Sequence, residues 1–261
     1  MSFYTNVQLV GDNLFYLGYE NGQRIQRKFK FSPTLFVVTD KKTKHKTLDG
    51  RYAKPIKFDS VKDAREFVDQ YKEVQNFEVH GYDRYLYQFI SEEFPQEIDY
   101  DLKGLKITSL DIEVACENGF PNVQECSEPL LSITVQDYIS RKIIVWGTKP
   151  YKNTRDDVSY ILCDGEEHLL RCFLDYWITN FPDILTGWNV ELYDVPYICG
   201  RLERLFGDKE MKQISPWGIV HRNDIEIKGR EQIVYDVYGI NVVDYMDCLL
   251  YTSPSPRDTD K

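Results

Sequence analysis

The sequence predicts two folding units in series: an α+β module over residues 1–102, then an α/β domain with a mixed sheet over residues 103–247. Three observations carry this. Short β-type runs separated by turn signals fill the first part, around one clear amphipathic helix. From Leu105 onward apolar strand-length runs give way to longer helical patterns. Charge also changes between the parts: residues 1–100 carry 15 Lys+Arg against 15 Asp+Glu, and residues 101–261 carry 17 against 27. The whole net charge of −10 therefore lies in the second part. With 261 residues, 42% hydrophobic and 14% aromatic, the chain can fill two cores and is too apolar for a disordered polymer.

In the first module Phe3–Leu9, Asn13–Tyr19, Arg24–Phe31 and Thr34–Val38 read as strands, separated at Gly11-Asp12 and Asn21-Gly22. Asn21-Gly22 between apolar-rich runs is a strong hairpin signal. Ser60-Val61-Lys62-Asp63 resembles a capping box and opens a helix to about Val74. Its Val61, Ala64, Phe67, Val68 and Tyr71 recur at helical spacing, the mark of a core-facing stripe. Tyr82–Glu97 is aromatic-rich and reads as a helix or strand joining the two units.

In the second domain Leu105–Val114, Leu130–Val135 and Lys142–Trp146 read as strands. Glu166–Asn180 follows as an amphipathic helix with Leu169, Leu170, Phe173, Leu174 and Trp177 on one side. A short strand at Ile184-Leu185, a turn at Thr186-Gly187-Trp188-Asn189 and a helix from about Asp194 to Phe206 complete the pattern. Ile225–Tyr235 reads as a hairpin with Lys228-Gly229-Arg230 near its tip.

Several function classes drop out on composition. No apolar stretch approaches a membrane span, and the polar N-terminus lacks the h-region of a signal peptide. Cysteines at 116, 126, 163, 172, 199 and 248 form no C-x-x-C pair, which argues against a zinc ribbon and suits a reducing, cytoplasmic compartment. Arg24 to Lys46 holds eight Lys and Arg with one acid, Asp40; it reads as a phosphate-contacting patch or as solvated strand edges.

The chemistry-bearing feature is Asp111-Ile112-Glu113 at the end of the apolar run Leu105–Leu110. Residues two apart on a strand share a face, so both carboxylates leave one side while Ile112 turns into the core. Two anions held that close call for a proton or a cation. A second acidic element, Gly187-Trp188-Asn189-Val190-Glu191-Leu192-Tyr193-Asp194-Val195-Pro196-Tyr197, puts Asp194 at the start of a helix, with Pro196 in its first turn. Taken alone, Asp194 reads as a plain N-cap; the two acidic elements together turn the reading towards a metal ligand. Trp188 is expected in the core.

These two elements together resemble the first two exonuclease motifs of family B DNA polymerases, in particular the replicases of T-even-like bacteriophages. The likeness runs to Asp247 and takes in Phe3-Tyr4, Gly119-Phe120-Pro121 and the Gly239–Asp247 segment. It implies that the second domain is an incomplete ribonuclease-H-like (DnaQ-like) 3′→5′ proofreading exonuclease of a DNA-directed DNA polymerase. Asp111, Glu113 and Asp194 would be its catalytic, metal-binding carboxylates, holding two Mg²⁺ ions with Mn²⁺ as substitute. Asp111 would bridge the ions, Glu113 would hold the one that activates water, and Asp194 would hold the second. Phe120, Asn189, Tyr193, Lys228 and Arg230 would contact DNA. The implied partners are a primer-template, a single-stranded 3′ end, the polymerase domains of a longer parent and its sliding clamp. The implied setting is the cytoplasm of an infected bacterium, with no membrane.

The chain departs from that family in two ways. The third exonuclease motif, Tyr-x-x-x-Asp on a later helix, has no counterpart after Asp194; Asp244 and Asp247 belong to a different segment. From Cys248 to Asp258 the sequence matches the translation of a transposase-based sequencing-library adapter, so residues 248–261 are expected to be non-native. A fragment with an incomplete ligand set is expected to be nearly inactive. The alternatives are a non-catalytic nucleic-acid-binding module and a stand-alone ribonuclease-H-like nuclease.

Overall fold

The computed structural model describes residues 2–82, 84–117, 119–227 and 229–252, which fall into two compact units, Met1–Tyr100 and Asp101–Lys261. In the first unit β1 (Ser2–Val10), β2 (Asn13–Glu20) and β3 (Gln23–Lys30) form an antiparallel sheet in that order. Asn21 and Gly22 both take positive φ, 51° and 79°, the primed turn that matches the twist of the flanking strands. A second sheet uses β4 (Thr34–Val38), β5 (His45–Lys46), β6 (Tyr52–Lys57) and β7 (Val79–His80) in the order β5-β6-β4-β7.

Strand β6 escapes sequence reading because it contains Pro55 between lysines. It survives because β5 pairs only with Tyr52 and Ala53, leaving Pro55 beyond the end of that ladder. Helix α1 (Val61–Tyr71) begins as predicted, the Ser60 hydroxyl accepting the Asp63 N–H at 3.0 Å, but stops at Tyr71. The ambiguous Tyr82–Glu97 run contains a helix, α2 (Tyr85–Glu93), which drives Tyr85 and Phe89 into a core with Leu14, Tyr16, Leu35 and Val61.

The second unit is an α/β structure on a six-stranded mixed sheet. Its strands are β8 (Ile107–Val114), β9 (Leu130–Asp137), β10 (Ile143–Gly147), β11 (Val158–Leu162), β12 (Ile184–Gly187) and β15 (Asn241–Asp244), ordered β11-β10-β9-β8-β12-β15. The β8–β9 and β9–β10 pairs are antiparallel; β8–β12, β12–β15 and β10–β11 are parallel. Edge strand β11 was not predicted; it follows a charged stretch and leaves three of its five residues exposed. Helices α3 (Glu166–Thr179) and α4 (Asp194–Phe206) supply the core against Leu110, Ile112, Ile133 and Val135. All five residues of the α3 stripe are buried, and the Trp177 indole N–H donates to the Ile214 carbonyl at 2.8 Å. Burial of such side chains contributes about 1.5–3 kcal/mol each.

Beyond α4 come a short helix, α5 (Asp208–Met211), and a hairpin, β13 (Val220–Ile227) with β14 (Arg230–Val237), longer at its base than predicted. The last element is α6 (Tyr245–Thr252). The boundary expected at Asp247 falls inside α6, and residues 253–261 of the expected tail lie outside the described residues.

One buried ion pair ties this unit together. Arg201 on α4 donates through Nε to Glu166 Oε1 at 2.6 Å and through Nη2 to Glu166 Oε2; its Nη1 donates to the carbonyls of Cys126 (2.7 Å) and Ser127 (3.3 Å). Glu166 Oε1 also accepts the Leu130 N–H at 2.9 Å. The segment leading into β9 is thereby stitched to both helices. Removing one partner of such a pair strands the other charge, so Arg201→Met is expected to cost about 3–5 kcal/mol in urea denaturation. Adding Glu166→Gln should recover part of the loss, because the amide carbonyl still accepts the Leu130 N–H. A single variant within 1 kcal/mol of the parent would refute the assignment, since surface pairs are worth about that much.

Candidate active site

On β8 the side chains alternate as the strand period requires. Leu110 and Ile112 are buried against the helices, while Asp111 and Glu113 are exposed on the other face. Across the ladder Asp111 stands opposite Thr134 and Glu113 opposite Ser132, so the surroundings of the acidic pair are polar.

Asp194 is the first residue of α4 and only 4% exposed. It does not act as an N-cap: that place belongs to Tyr193, and no side-chain cap bond forms there. Its Oδ1 instead accepts the backbone N–H of Ile112 at 2.9 Å. The reason lies in strand length. β12 pairs with β8 only as far as Thr186 opposite Ser109, and beyond it β8 runs on without a neighbour on that side. Asp194 takes the unpaired Ile112 N–H, which a buried backbone donor requires. The bond reaches β8 at the residue between Asp111 and Glu113.

The electrostatics follow. Burial, and then the Asp111 charge, push the Asp194 carboxyl up to about 7, only partly offset by the Ile112 N–H. Asp111 is itself raised by desolvation. Tyr193 is raised too, by burial first and then by the charges of Asp194 and Glu113. Among the described residues no group of three or more His, Cys, Asp or Glu side chains is placed to hold a metal ion. What stands there is Asp194, bonded to β8 and raised by burial and by the Asp111 charge, with Glu113 on the same strand face as Asp111.

Beside it opens a cleft of about 860 Å³ whose walls include Phe120, Pro121, Asn122, Asn189, Tyr193 and Ile227. Phe120 is 86% exposed, its ring centroid 5.6 Å from that of Tyr193. A large apolar ring held in water at the mouth of a cleft suits stacking on a base. Asn189 sits at φ 59°, a left-handed conformation that Asn tolerates better than most residues. Trp188, expected in the core, is 60% exposed. The chain turns sharply after Gly187, where an added Cβ would meet the Leu110 carbonyl at 2.6 Å, and Val190 takes the buried place.

Phe120, Asn189 and Tyr193 thus line one cleft; Asp111, Glu113 and Asp194 are not among its lining residues, Asp194 following Tyr193 in the chain. Arg230 opens β14 opposite Ile227, and Lys228 lies outside the described residues. One acid that the sequence sets in a different segment from the exonuclease motifs reaches the β12–α4 turn in the structure. Asp244, at the end of β15, is 5% exposed and accepts the N–H groups of Asn189 (2.9 Å), Met246 (2.8 Å) and Glu191 (3.1 Å). No local signal separates such an Asp from a strand-end acid, because two of its three partners lie 55 and 53 residues away on the β12–α4 turn.

Comparison with known proteins places the chain in a family. Residues 58–256 match the profile of the DNA polymerase family B exonuclease domain. The DNA-directed DNA polymerase of Enterobacteria phage T4 is 29% identical over 272 residues, and that of Escherichia phage RB69 is 29% identical over 275; each match covers 94% of this chain and 30% of the relative. A DNA polymerase of Pyrococcus glycovorans is 26% identical over 156 residues, covering 56% of this chain and 18% of that protein. The chain spans about 30% of the length of its phage relatives. With a profile match over most of its residues, centred on the unit that holds Asp111 and Asp194, the chain belongs to the family B DNA polymerases and carries their exonuclease domain.

Proposed function

We propose that this chain holds the metal-dependent 3′→5′ exonuclease site of a replicative family B DNA polymerase, hydrolysing phosphodiesters at a single-stranded DNA 3′ end. The observation that carries the reading is the buried Asp194 carboxyl, bonded to β8 at the residue between Asp111 and Glu113 and raised by burial and by the Asp111 charge. Hard carboxylate oxygens and unbalanced negative charge suit Mg²⁺, with Mn²⁺ able to substitute. Asp111, Glu113 and Asp194 are the residues that would hold it. Bound there, two such ions supply an activated water and charge neutralisation at the leaving 3′ oxygen.

The protein's own part is placement. Phe120 offers a face for the terminal base, Asn189 and Tyr193 line the same cleft, and Lys228 and Arg230 would supply cations for phosphate. The finer fold consistent with this use is a ribonuclease-H-like sheet over residues 103–247, preceded by a module of residues 1–102. A primer-template, a sliding clamp and a bacterial host cytoplasm belong to the same reading.

Given Mg²⁺ and 5′-labelled single-stranded DNA, the chain is expected to shorten the strand from its 3′ end, slowly, since the described residues offer only an incomplete ligand set. The shortening should stop with a chelator and with Asp111→Ala. Products that persist in Asp111→Ala, or that arise by internal cleavage, would sink the reading.

A second test uses pH. The folded Asp194 binds its proton up to about 7 against an ordinary value of 3.8, so the native state holds more protons than the unfolded state between those limits. The contribution of Asp194 to the stability of the metal-free protein is therefore greatest below the lower value and is lost as pH rises through the upper one. Asp194→Asn should flatten this slope in denaturant melts at a series of pH values, and millimolar Mn²⁺ should restore stability near neutral pH in the parent alone. An unchanged slope in Asp194→Asn would refute the assignment.

A further inference from the structure

The turn between β12 and α4 carries both Asn189 and the approach to Asp194, yet it has little regular hydrogen bonding of its own. Within it the Tyr193 N–H reaches the Asn189 carbonyl at 2.9 Å and the Val195 N–H reaches Val190 at 3.0 Å. The donors at Asn189 and Glu191 have no partner inside the turn; they go to the side chain of Asp244. Strand pairing explains the reach. β15 runs parallel to β12 with Asp244 opposite Gly187, so the side chain arrives where the turn departs. A 2.6 Å bond from the Thr186 hydroxyl to the Val243 carbonyl secures the same register.

We propose that Asp244 is a positioning residue of the exonuclease site: it grips the Asn189–Glu191 turn by its backbone and so fixes where Asn189 stands at the cleft and where Asp194 stands after it. The inference rests on the reading of those two residues given above. The chemistry asks for a carboxylate. Three N–H groups converge on two oxygens, Asn189 and Met246 on Oδ1 and Glu191 on Oδ2, and an ionised carboxylate only accepts. Backbone donors to a charged acceptor make strong bonds, which offsets the desolvation of a side chain this buried. Three of the roughly four acceptor positions of the carboxylate are thereby given to the backbone, which is where Asp244 does its work. The left-handed backbone of Asn189 is the part of the turn that most needs holding.

The test uses the whole chain with Asp244→Asn and Asp244→Ala, reading amide hydrogen exchange by NMR. In Asp244→Asn the remaining carbonyl can keep Asn189 and Met246 while its NH₂ opposes Glu191. Exchange at Glu191 should therefore speed up roughly 10- to 100-fold, more than at Asn189, with Leu185 in β12 unchanged. In Asp244→Ala both turn amides should be released. Affinity for a short single-stranded oligodeoxynucleotide with a free 3′ end, followed by fluorescence anisotropy, should fall in the order parent, Asn variant, Ala variant. Turn amides that exchange as in the parent, or a uniform acceleration across the sheet, would overturn the inference. Should Asp244→Ala fail to fold, the selectivity between Glu191 and Asn189 in Asp244→Asn decides alone. An Asn189→Ala control that leaves oligonucleotide affinity unchanged would count against the functional reading, whereas the exchange pattern judges Asp244 independently.

Discussion

The bond from the Ile112 N–H to the Asp194 carboxylate is the constraint around which the exonuclease unit is arranged. It exists because β8 outruns β12. A central strand with one neighbour missing has backbone donors to satisfy, and here a side chain from the next helix takes the open position. That single contact docks the start of α4 and buries an acid. It also brings the acid's charge against Asp111. The energetic cost of the arrangement is visible in the raised proton affinity of Asp194. A carboxyl raised in this way marks the place in the unit where burial and like charge meet, the pattern that perturbed groups at functional sites share.

Around this bond the unit uses polar contacts of long sequence range rather than regular secondary structure. Glu166 and Arg201 hold the segment entering β9, downstream of Phe120. Asp244 holds the turn that carries Asn189. Gln124 donates to the Glu231 carbonyl at 3.3 Å, joining the Phe120 side of the cleft to the hairpin. Each wall of the cleft is thus fastened by a side chain from elsewhere in the same unit. Loops that must present groups at fixed distances need such external ties, since their own backbone bonding leaves them loose.

Legibility in the sequence tracked the range of the forces involved. The Asn21-Gly22 turn, the Ser60 cap and the α3 stripe are local, set by dihedral preference, one short hydrogen bond and helical period, and all three stand as predicted. The alternation at Asp111-Ile112-Glu113 is equally local and correct. The misreadings were non-local. Trp188 looks like core by composition but is displaced when the chain turns at Gly187. Asp194 looks like an N-cap until β8 offers a better donor. β6 and β11 carry too many polar residues to announce themselves and exist because neighbouring strands pair with them.

By itself the sequence determined which residue types could do chemistry and which face of β8 they would occupy, because a strand's two-residue period leaves no choice. It also carried the likeness that assigned the family. Only the tertiary structure decided that Asp194 would be buried beside Asp111 and that Phe120, Asn189 and Tyr193 would share one cleft. It alone recruited Asp244 to hold them. These outcomes depend on which strand ends first and which backbone donors are left unpaired, quantities that arise when distant segments meet and that no window of neighbouring residues contains.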